Sequence, residues 1–537
     1  MGVKGGWDLL NPTSTVSFVD WASEKISTGA GHELVPRIGV DASGWMSAAT
    51  FHHGQTKSPA QASLFKRLGC LFHLPVIPLF VFDGPHRPTY KRKKTVKKTP
   101  VWLTNDFKRL LEGFGFSYWE APGEAEAELA MLSRLDRIDA VMSEDFDAML
   151  FGAQRVFRIK EESDSKYLIE VYEAGSQFSC NNLVMIALLA GGDYDDGIQG
   201  CGIQTAAGIA KSSIGKQLFD ALEAFEVDGY AAVASAWRQD LSMTLETQGS
   251  RQRSLASRIP LDFPKVSVLI QYLHPVTSQS NGPNNVPAAP SLSQPNISHL
   301  AKLCEELFVW GHSMGIIRNF RDHVFPGLAT RDLLQDLCKR RGLFKDDDAH
   351  ISQHAIVSKA RAVRANQLER SRSEIYVSFV LPGEILTQIT SAIDGTYNTD
   401  TTTAEYDQFV KKPEVRAWLS RILTLHARPN TLDDIQHPTL KTGEKRKMVK
   451  PSIEKTRLIE AEPSVSQPVA STSANLRNQN RSYSVLEISS DESGDEMTEA
   501  APIKRQKRAS SPKYRIEVRY TVKGEILELC TDDENGF

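Results

Sequence analysis

Up to about residue 275 the chain alternates short apolar runs with longer amphipathic stretches, which predicts strand and helix in succession. The apolar runs end in acids: Arg37-Ile-Gly-Val-Asp41, Val76-Ile-Pro-Leu-Phe-Val-Phe-Asp83 and Ile138-Asp-Ala-Val-Met-Ser-Glu-Asp145. Between them, residues 59–73, 105–113 and 124–136 have helical character, the last opening after Pro122-Gly123, a helix-start signal. Such alternation predicts an α/β domain with a mainly parallel central sheet flanked by helices.

Beyond this the pattern changes. Residues 276–297 are rich in Pro, Ser and Asn and predict a mobile loop. Leu300, Leu303, Leu307 and Trp310 then recur at helical spacing, the packing face of a helical segment over 298–345 that completes the core. Residues 370–437 form a small β+α unit, with a strand-like Ile375-Tyr-Val-Ser-Phe-Val380 and a helical Val415-Arg-Ala-Trp-Leu-Ser-Arg-Ile422. From 438 to 537 the chain is polar and charge-rich, which predicts a disordered tail.

Composition adds less than its distribution does. The 537 residues carry 63 basic and 66 acidic side chains, a net charge of −3. Basic residues nevertheless crowd into 87–98 and 504–508, and acidic ones into 487–496 and 532–534. A local basic patch is what a phosphate backbone meets, so the neutral total leaves a nucleic-acid partner open. The six cysteines form no CxxC pair, which argues against a zinc site or a disulfide framework and fits a reducing compartment. No apolar signal core opens the sequence, Gly6 stands where myristoylation would need Ser or Thr, and no apolar run approaches the ~20 residues of a membrane span. A soluble intracellular protein with no membrane partner is expected.

In open α/β sheets, functional groups gather beyond the carboxyl ends of the strands. Asp41, Asp83 and Asp145 stand at such ends, and Asp193 follows the apolar run Met185–Ala190 through Gly191-Gly192. Converging carboxylates cannot all stay ionised without cations between them, and oxygen ligands select hard ions such as Mg²⁺ or Mn²⁺. Two such ions roughly 4 Å apart hydrolyse phosphodiesters. Within Pro122-Gly-Glu-Ala-Glu-Ala-Glu128, helical spacing alone pairs Glu124 with Glu128. Glu124 directly follows Pro-Gly, however, and so lies in the opening turn, where the helix N-terminus favours negative charge. Taken singly, each acid also fits a solvated face or a helix cap. Only the ordered set is specific.

That order is Met1-Gly-Val, Val40-Asp-Ala-Ser, Val81-Phe-Asp-Gly-Pro, Ala121-Pro-Gly-Glu-Ala-Glu-Ala, Ser143-Glu-Asp-Phe-Asp and Gly191-Gly-Asp-Tyr. It resembles the XPG family of structure-specific nucleases over about residues 1–245, with an N-terminal segment at 1–100, an internal segment at 113–200 and a helix-two-turn-helix at 190–245. The resemblance implies that Asp41, Asp83, Glu124 and Glu126 hold one Mg²⁺ while Asp145, Asp147 and Asp193 complete a second site, Mn²⁺ being able to substitute. Glu128 falls outside that set and is expected to be helix-surface charge. Lys91, Arg92 and Lys93 belong to a run of seven Lys/Arg over 86–98 and correspond to the residues that steer the scissile phosphate from the helix after the second aspartate. Gly200 and Gly202 lie in the Gly-rich turn that grips duplex DNA, often with K⁺, and Gly2 lines the DNA side.

The interval between Asp83 and Glu124 is short for this family, which argues against a closed arch for a free 5′ end and for four-way junctions. Residues 299–310 and 318–328 resemble the junction-resolvase branch, and 370–437 has the size and place of its chromodomain. The reading is therefore a crossover junction endonuclease making symmetric paired nicks, with 5′ flaps as further substrates and a second protomer on the junction. The alternatives are a 5′-flap endonuclease or 5′ exonuclease of the same scaffold, and a non-catalytic scaffold that binds branched DNA. Tyr376, Phe379 and Trp418 are expected to be core rather than a methyl-lysine cage. In the tail, Val485–Glu492 and Ile526–Asp533 resemble SUMO-interacting motifs, Lys445-Arg-Lys447 and Lys504–Arg508 resemble nuclear import signals, and Ser511-Pro512 is a candidate phosphorylation site. A nuclear location follows from these.

Overall fold

The computed structural model describes residues 2–29, 34–51, 58–91, 94–95, 99–163, 166–247, 250–308, 310, 313–343, 361–362, 374–394 and 408–429. Arg92, Lys93 and the tail with its SUMO-like, import-like and phosphorylation motifs lie outside these residues.

Strands β1 (Ser14–Ser17), β2 (Arg37–Asp41), β3 (Ile77–Phe82), β4 (Tyr90–Lys91), β5 (Lys94–Thr95), β6 (Ser117–Glu120), β7 (Ala140–Met142), β8 (Arg155–Ser163) and β9 (Lys166–Glu173) follow one another along the chain. Seven of them form one sheet in the order β1-β9-β8-β7-β2-β3-β6. The pairings among β8, β7, β2, β3 and β6 are parallel, and β9 and β1 close one side antiparallel. The expected mainly parallel sheet is present. Its centre is apolar on both faces because helices cover both: Phe80 and Phe82 of β3 enter one core, Leu79 and Val81 the other.

Helices α1 (Phe18–Thr28), α2 (Ala42–Thr50), α3 (Pro59–His73), α4 (Val101–Phe114), α5 (Ala125–Arg134), α6 (Asp147–Leu150) and α7 (Cys180–Ala190) alternate with the strands. A helical region follows: α8 (Ile203–Ala210), α9 (Ser213–Glu223), α10 (Tyr230–Glu246), α11 (Ser250–Ala256) and α12 (Val266–Leu273). Then α13 (Ile297–Leu307), α14 (Ser313–His323) and α15 (Phe325–Arg340) return to the core that holds Phe80. Leu300 and Leu303 of α13 are buried there, as their spacing predicted, while Trp310 lies past the helix end.

Residues 276–297, expected as a mobile loop, take definite turns. Two 3₁₀ turns run over Ser278–Asn281 and Pro283–Asn285, and Thr277 caps the first with Ser280. The Asn296 amide donates to Gly113 at 2.9 Å, and Gly123 lies so close that a Cβ would be 2.5 Å from the Val276 carbonyl oxygen. The polar composition serves these local bonds.

Past α15 come β10 (Arg361–Ala362), β11 (Glu374–Val380), α16 (Gly383–Ala392), β12 (Glu414–Ser420) and α17 (Arg421–Ala427). The expected helix at 415–422 is thus a strand up to Ser420. Val415, Ala417 and Leu419 are buried while Arg416 is exposed and Trp418 half-buried, a period of two that suits antiparallel pairing with β11. Val377, Phe379, Leu419 and Leu423 join the core that holds Phe80. Arg428 fastens the end of the unit to Asp332 and Asp336 of α15.

Candidate active site

Each acid is placed by a strand end or a helix start. Asp41 is the last residue of β2 and the N-cap of α2, its Oδ1 accepting from the Ser43 and Gly44 amides at 2.9 and 3.2 Å. The Ser143 hydroxyl donates to its other oxygen at 3.3 Å. Asp83 follows β3 and accepts from the Ala125 amide at 3.0 Å, the Ser43 hydroxyl at 2.8 Å and Arg87 at 2.5 Å. The Ala125 bond draws the start of α5 onto the end of β3. Glu124 is the N-cap of α5 with extended backbone, as its position after Pro-Gly implied, and accepts from the Tyr194 hydroxyl. Asp145 accepts the Asp147 amide at 3.1 Å, while its own amide donates to Ser143 Oγ at 3.0 Å. Asp193 follows a helix, α7, rather than a strand.

The structure therefore brings all seven expected carboxylates into one cluster, and their burial dominates its electrostatics. Asp41 is pushed up to about 7, by burial first and then by Asp83 and Asp145. Glu126 lies well above the carboxylate range, through burial and then Asp41, Asp83 and Asp145. Burial followed by Asp145 and Asp193 does the same to Asp147. Burial also raises Asp145 and Glu124, the latter against the pull of Lys91. Lys91 pairs with Glu124 and lies 3.2 Å from Asp193. Burial works against its charge, yet Glu124, Glu126 and Asp193 hold its ammonium above the usual lysine range.

The donor set fits a hard divalent cation: it is carboxylate oxygen, and both Asp147 oxygens are buried without a hydrogen-bond partner among the described residues. Among the described residues no three ligating groups already close on one point. The Lys91 ammonium stands between Glu124 and Asp193 instead.

The remaining expected residues occupy other places. Lys91 is on β4, a strand of a two-stranded ribbon, rather than on a helix. Gly2 has φ +72°, and a Cβ there would lie 2.2 Å from Asp147 Oδ1 and 2.7 Å from Asp145 Oδ1, so it borders the cluster. Gly200, at φ +88°, and Gly202, the N-cap of α8, form the separate turn before that helix.

Glu128 is not surface charge. It is fully buried and accepts from Trp119 Nε1 at 3.0 Å and the Ser278 amide at 2.8 Å. Sequence reasoning also gave no role to Ser43, Ser143, Arg87 and Tyr194. A hydroxyl two residues from an aspartate at a strand end was the available signal for both serines.

Residues 115–193 match the XPG I-region family. The chain is 28% identical to flap endonuclease 1-A of Sorghum bicolor over 249 residues, 38% of this chain and 65% of that protein, so it spans just under two thirds of that relative's length. The fold is similar to a crystal structure of the Holliday junction-resolving enzyme GEN1 with product DNA and Mg²⁺, with a TM-score of 0.60 and 26% identity over 81% of this chain and 99% of that one. A structure of the eukaryotic junction-resolving enzyme GEN-1 with potassium is similar at a TM-score of 0.59 and 27% identity, again over 81% of this chain and 99% of that one.

Proposed function

We propose, from the premise that this chain belongs to the XPG family, that it is a structure-specific DNA endonuclease. Its reaction is divalent-metal-dependent phosphodiester hydrolysis, and its main substrate is the four-way junction. The carrying observation is the buried carboxylate cluster with both Asp147 oxygens unpartnered. Buried acids of this kind are costly unless a cation or proton offsets them.

Asp41, Asp83, Glu124 and Glu126 would hold one divalent ion, and Asp145, Asp147 and Asp193 a second. Bound there, Mg²⁺ or Mn²⁺ supplies Lewis acidity toward water and the phosphoryl oxygens. The chain's own groups orient the site. Ser43 and Ser143 fix the Asp41 and Asp83 carboxylates, and the Ala125 amide locks α5 against Asp83. Lys91 stands at the cluster as a cation for the scissile phosphate, with Arg92 and Lys93 beside it in sequence. The turn at Gly200 and Gly202, open at Gly202 and met by the Arg258 guanidinium at Gly200, suits close approach of duplex backbone, with K⁺ as its companion ion.

Junctions are favoured over flaps by two observations. The likeness in fold to the junction-resolving enzyme extends over 81% of this chain and 99% of that one. The short segment after Asp83 includes a two-stranded ribbon, and α4 begins at Val101. Symmetric paired nicks require a second protomer on the junction. Nuclear location and SUMO binding through the tail complete the proposal. The second reading, a 5′-flap endonuclease or 5′ exonuclease, is favoured by the sorghum relative's activity.

Incubation with Mg²⁺ and labelled four-way junctions, flaps and nicked duplexes separates them. Paired symmetric nicks in the junction are expected. Cleavage confined to flaps selects the second reading, and binding without cleavage selects a scaffold.

A further inference from the structure

Tyr272 lies on α12 with 3% of its surface exposed. Its ring centroid is 4.8 Å from that of Tyr194, at an interplanar angle of 54°, and 6.3 Å from that of Phe151. Tyr194 in turn donates to Glu124, so two phenols stand one behind the other at the wall of the acid cluster. The outer one presses on the chain just before a cluster acid: a Cβ on Gly192 would be 2.2 Å from the Tyr272 oxygen. Any side chain at 192 would displace that hydroxyl.

The hydroxyl faces the Asp193 amide but makes no formed hydrogen bond among the described residues. Asp147 is in the same condition, with both oxygens buried and unpartnered. An unpaired phenol in such a place is costly, and phenylalanine would fill the same volume without the cost. The feature is understandable when the hydroxyl acquires its partner as the carboxylates take up their working arrangement.

We infer that Tyr272 is a positioning residue of the metal site, its phenolic proton directed at the Asp147–Asp193 edge of the cluster so as to fix those carboxylates for a divalent ion. This rests on the nuclease reading above. Hydrogen-bond donors behind the ligands orient them and tune metal affinity.

The test is Mn²⁺ titration by calorimetry into the full-length protein without DNA, with melting temperature and junction cleavage measured in parallel. Tyr272→Phe should keep or raise the melting temperature in EDTA, weaken Mn²⁺ binding about tenfold, and recover cleavage when Mg²⁺ is raised. Gly192→Ala, which displaces the hydroxyl while keeping the ring, should weaken Mn²⁺ binding likewise. Wild-type Mn²⁺ affinity in Tyr272→Phe overturns the inference. A wild-type protein that binds no Mn²⁺ overturns the metal-site reading itself, and this inference with it.

Discussion

Trp119 donates its indole N–H to the Glu128 carboxylate at 3.0 Å, and that single bond ties β6 to the middle of α5. The second Glu128 oxygen accepts the Ser278 amide, so the same carboxylate holds the 276–297 segment against α5. Glu128→Ala would leave two donors unsatisfied in a fully buried place, at a cost of about 3 kcal/mol. Urea denaturation should show that loss, while cleavage per folded molecule stays within a fewfold of wild type. Loss of cleavage with stability intact would instead make Glu128 a ligand.

The pH dependence of the metal-free protein follows from Asp41 and its neighbours. Folded Asp41 keeps its proton up to about 7, against 3.8 for the free group. Between those values the folded state binds more protons than the unfolded one, so stability falls as pH rises. In EDTA the melting temperature should be about 5 °C lower at pH 8 than at pH 5. Mg²⁺ should shrink the difference, and Asp41→Asn should shrink it without metal. A flat or rising profile in EDTA contradicts the buried, mutually repelling cluster.

Gly2 borders Asp145 and Asp147 so closely that a methyl group forces one carboxylate aside. Its φ of +72° adds strain for any other residue. Gly2→Ala should lower the cleavage rate about a hundredfold, since small displacements of reacting groups cost that much. The melting temperature should barely move. Single-turnover cleavage together with calorimetry distinguishes this from misfolding.

Asp147→Asn trades function for stability. It replaces a buried carboxyl whose oxygens meet no hydrogen-bond donor among the described residues and whose ionised form its neighbours oppose. In EDTA the variant should melt about 3 °C higher than wild type, yet cleave no junction. Asp41→Ala and Glu126→Ala should also abolish cleavage while sparing DNA binding in gel-shift assays. Turnover by any of the three removes that residue from the site.

Deletion of 370–437 strips the cover from α15 and α1, because Val377, Leu419 and Leu423 are part of the main core. The shortened chain should melt more than about 10 °C lower, which would confound any loss of junction binding. Arg416→Glu on the exposed side of β12 is the cleaner probe. It should keep the melting temperature and weaken junction binding more at low salt than at high salt. Equal affinity at low salt would remove the unit from the DNA surface.

The parallel core was legible because β2 and β3 are apolar on both faces and end in acids. That Glu126 rather than Glu128 stands with Asp41, Asp83 and Asp145 was legible from the resemblance, together with Pro-Gly placing Glu124 in extended backbone. The fate of Glu128 was not, since its partners include an amide 150 residues away. The alternation in Val415–Leu419 was short, and the helix beginning at Arg421 lent its character to the strand before it. Lys91 on a ribbon instead of a helix reflects a basic run with no apolar periodicity to choose between them. Tyr272 could not be found from sequence, because α12 reaches the cluster only through the path of the helical region.

The sheet's edge has a consequence in time. β1 pairs only with β9, and Gly2 borders acids that lie beyond residue 140. A growing polypeptide that has released β2 and β3 displays Asp41 and Asp83, but β1 has no strand to pair with until β9 has emerged. Such long-range closure is slow and comes late. The carboxylate cluster is thus closed only once the beginning of the chain has met a hairpin made much later.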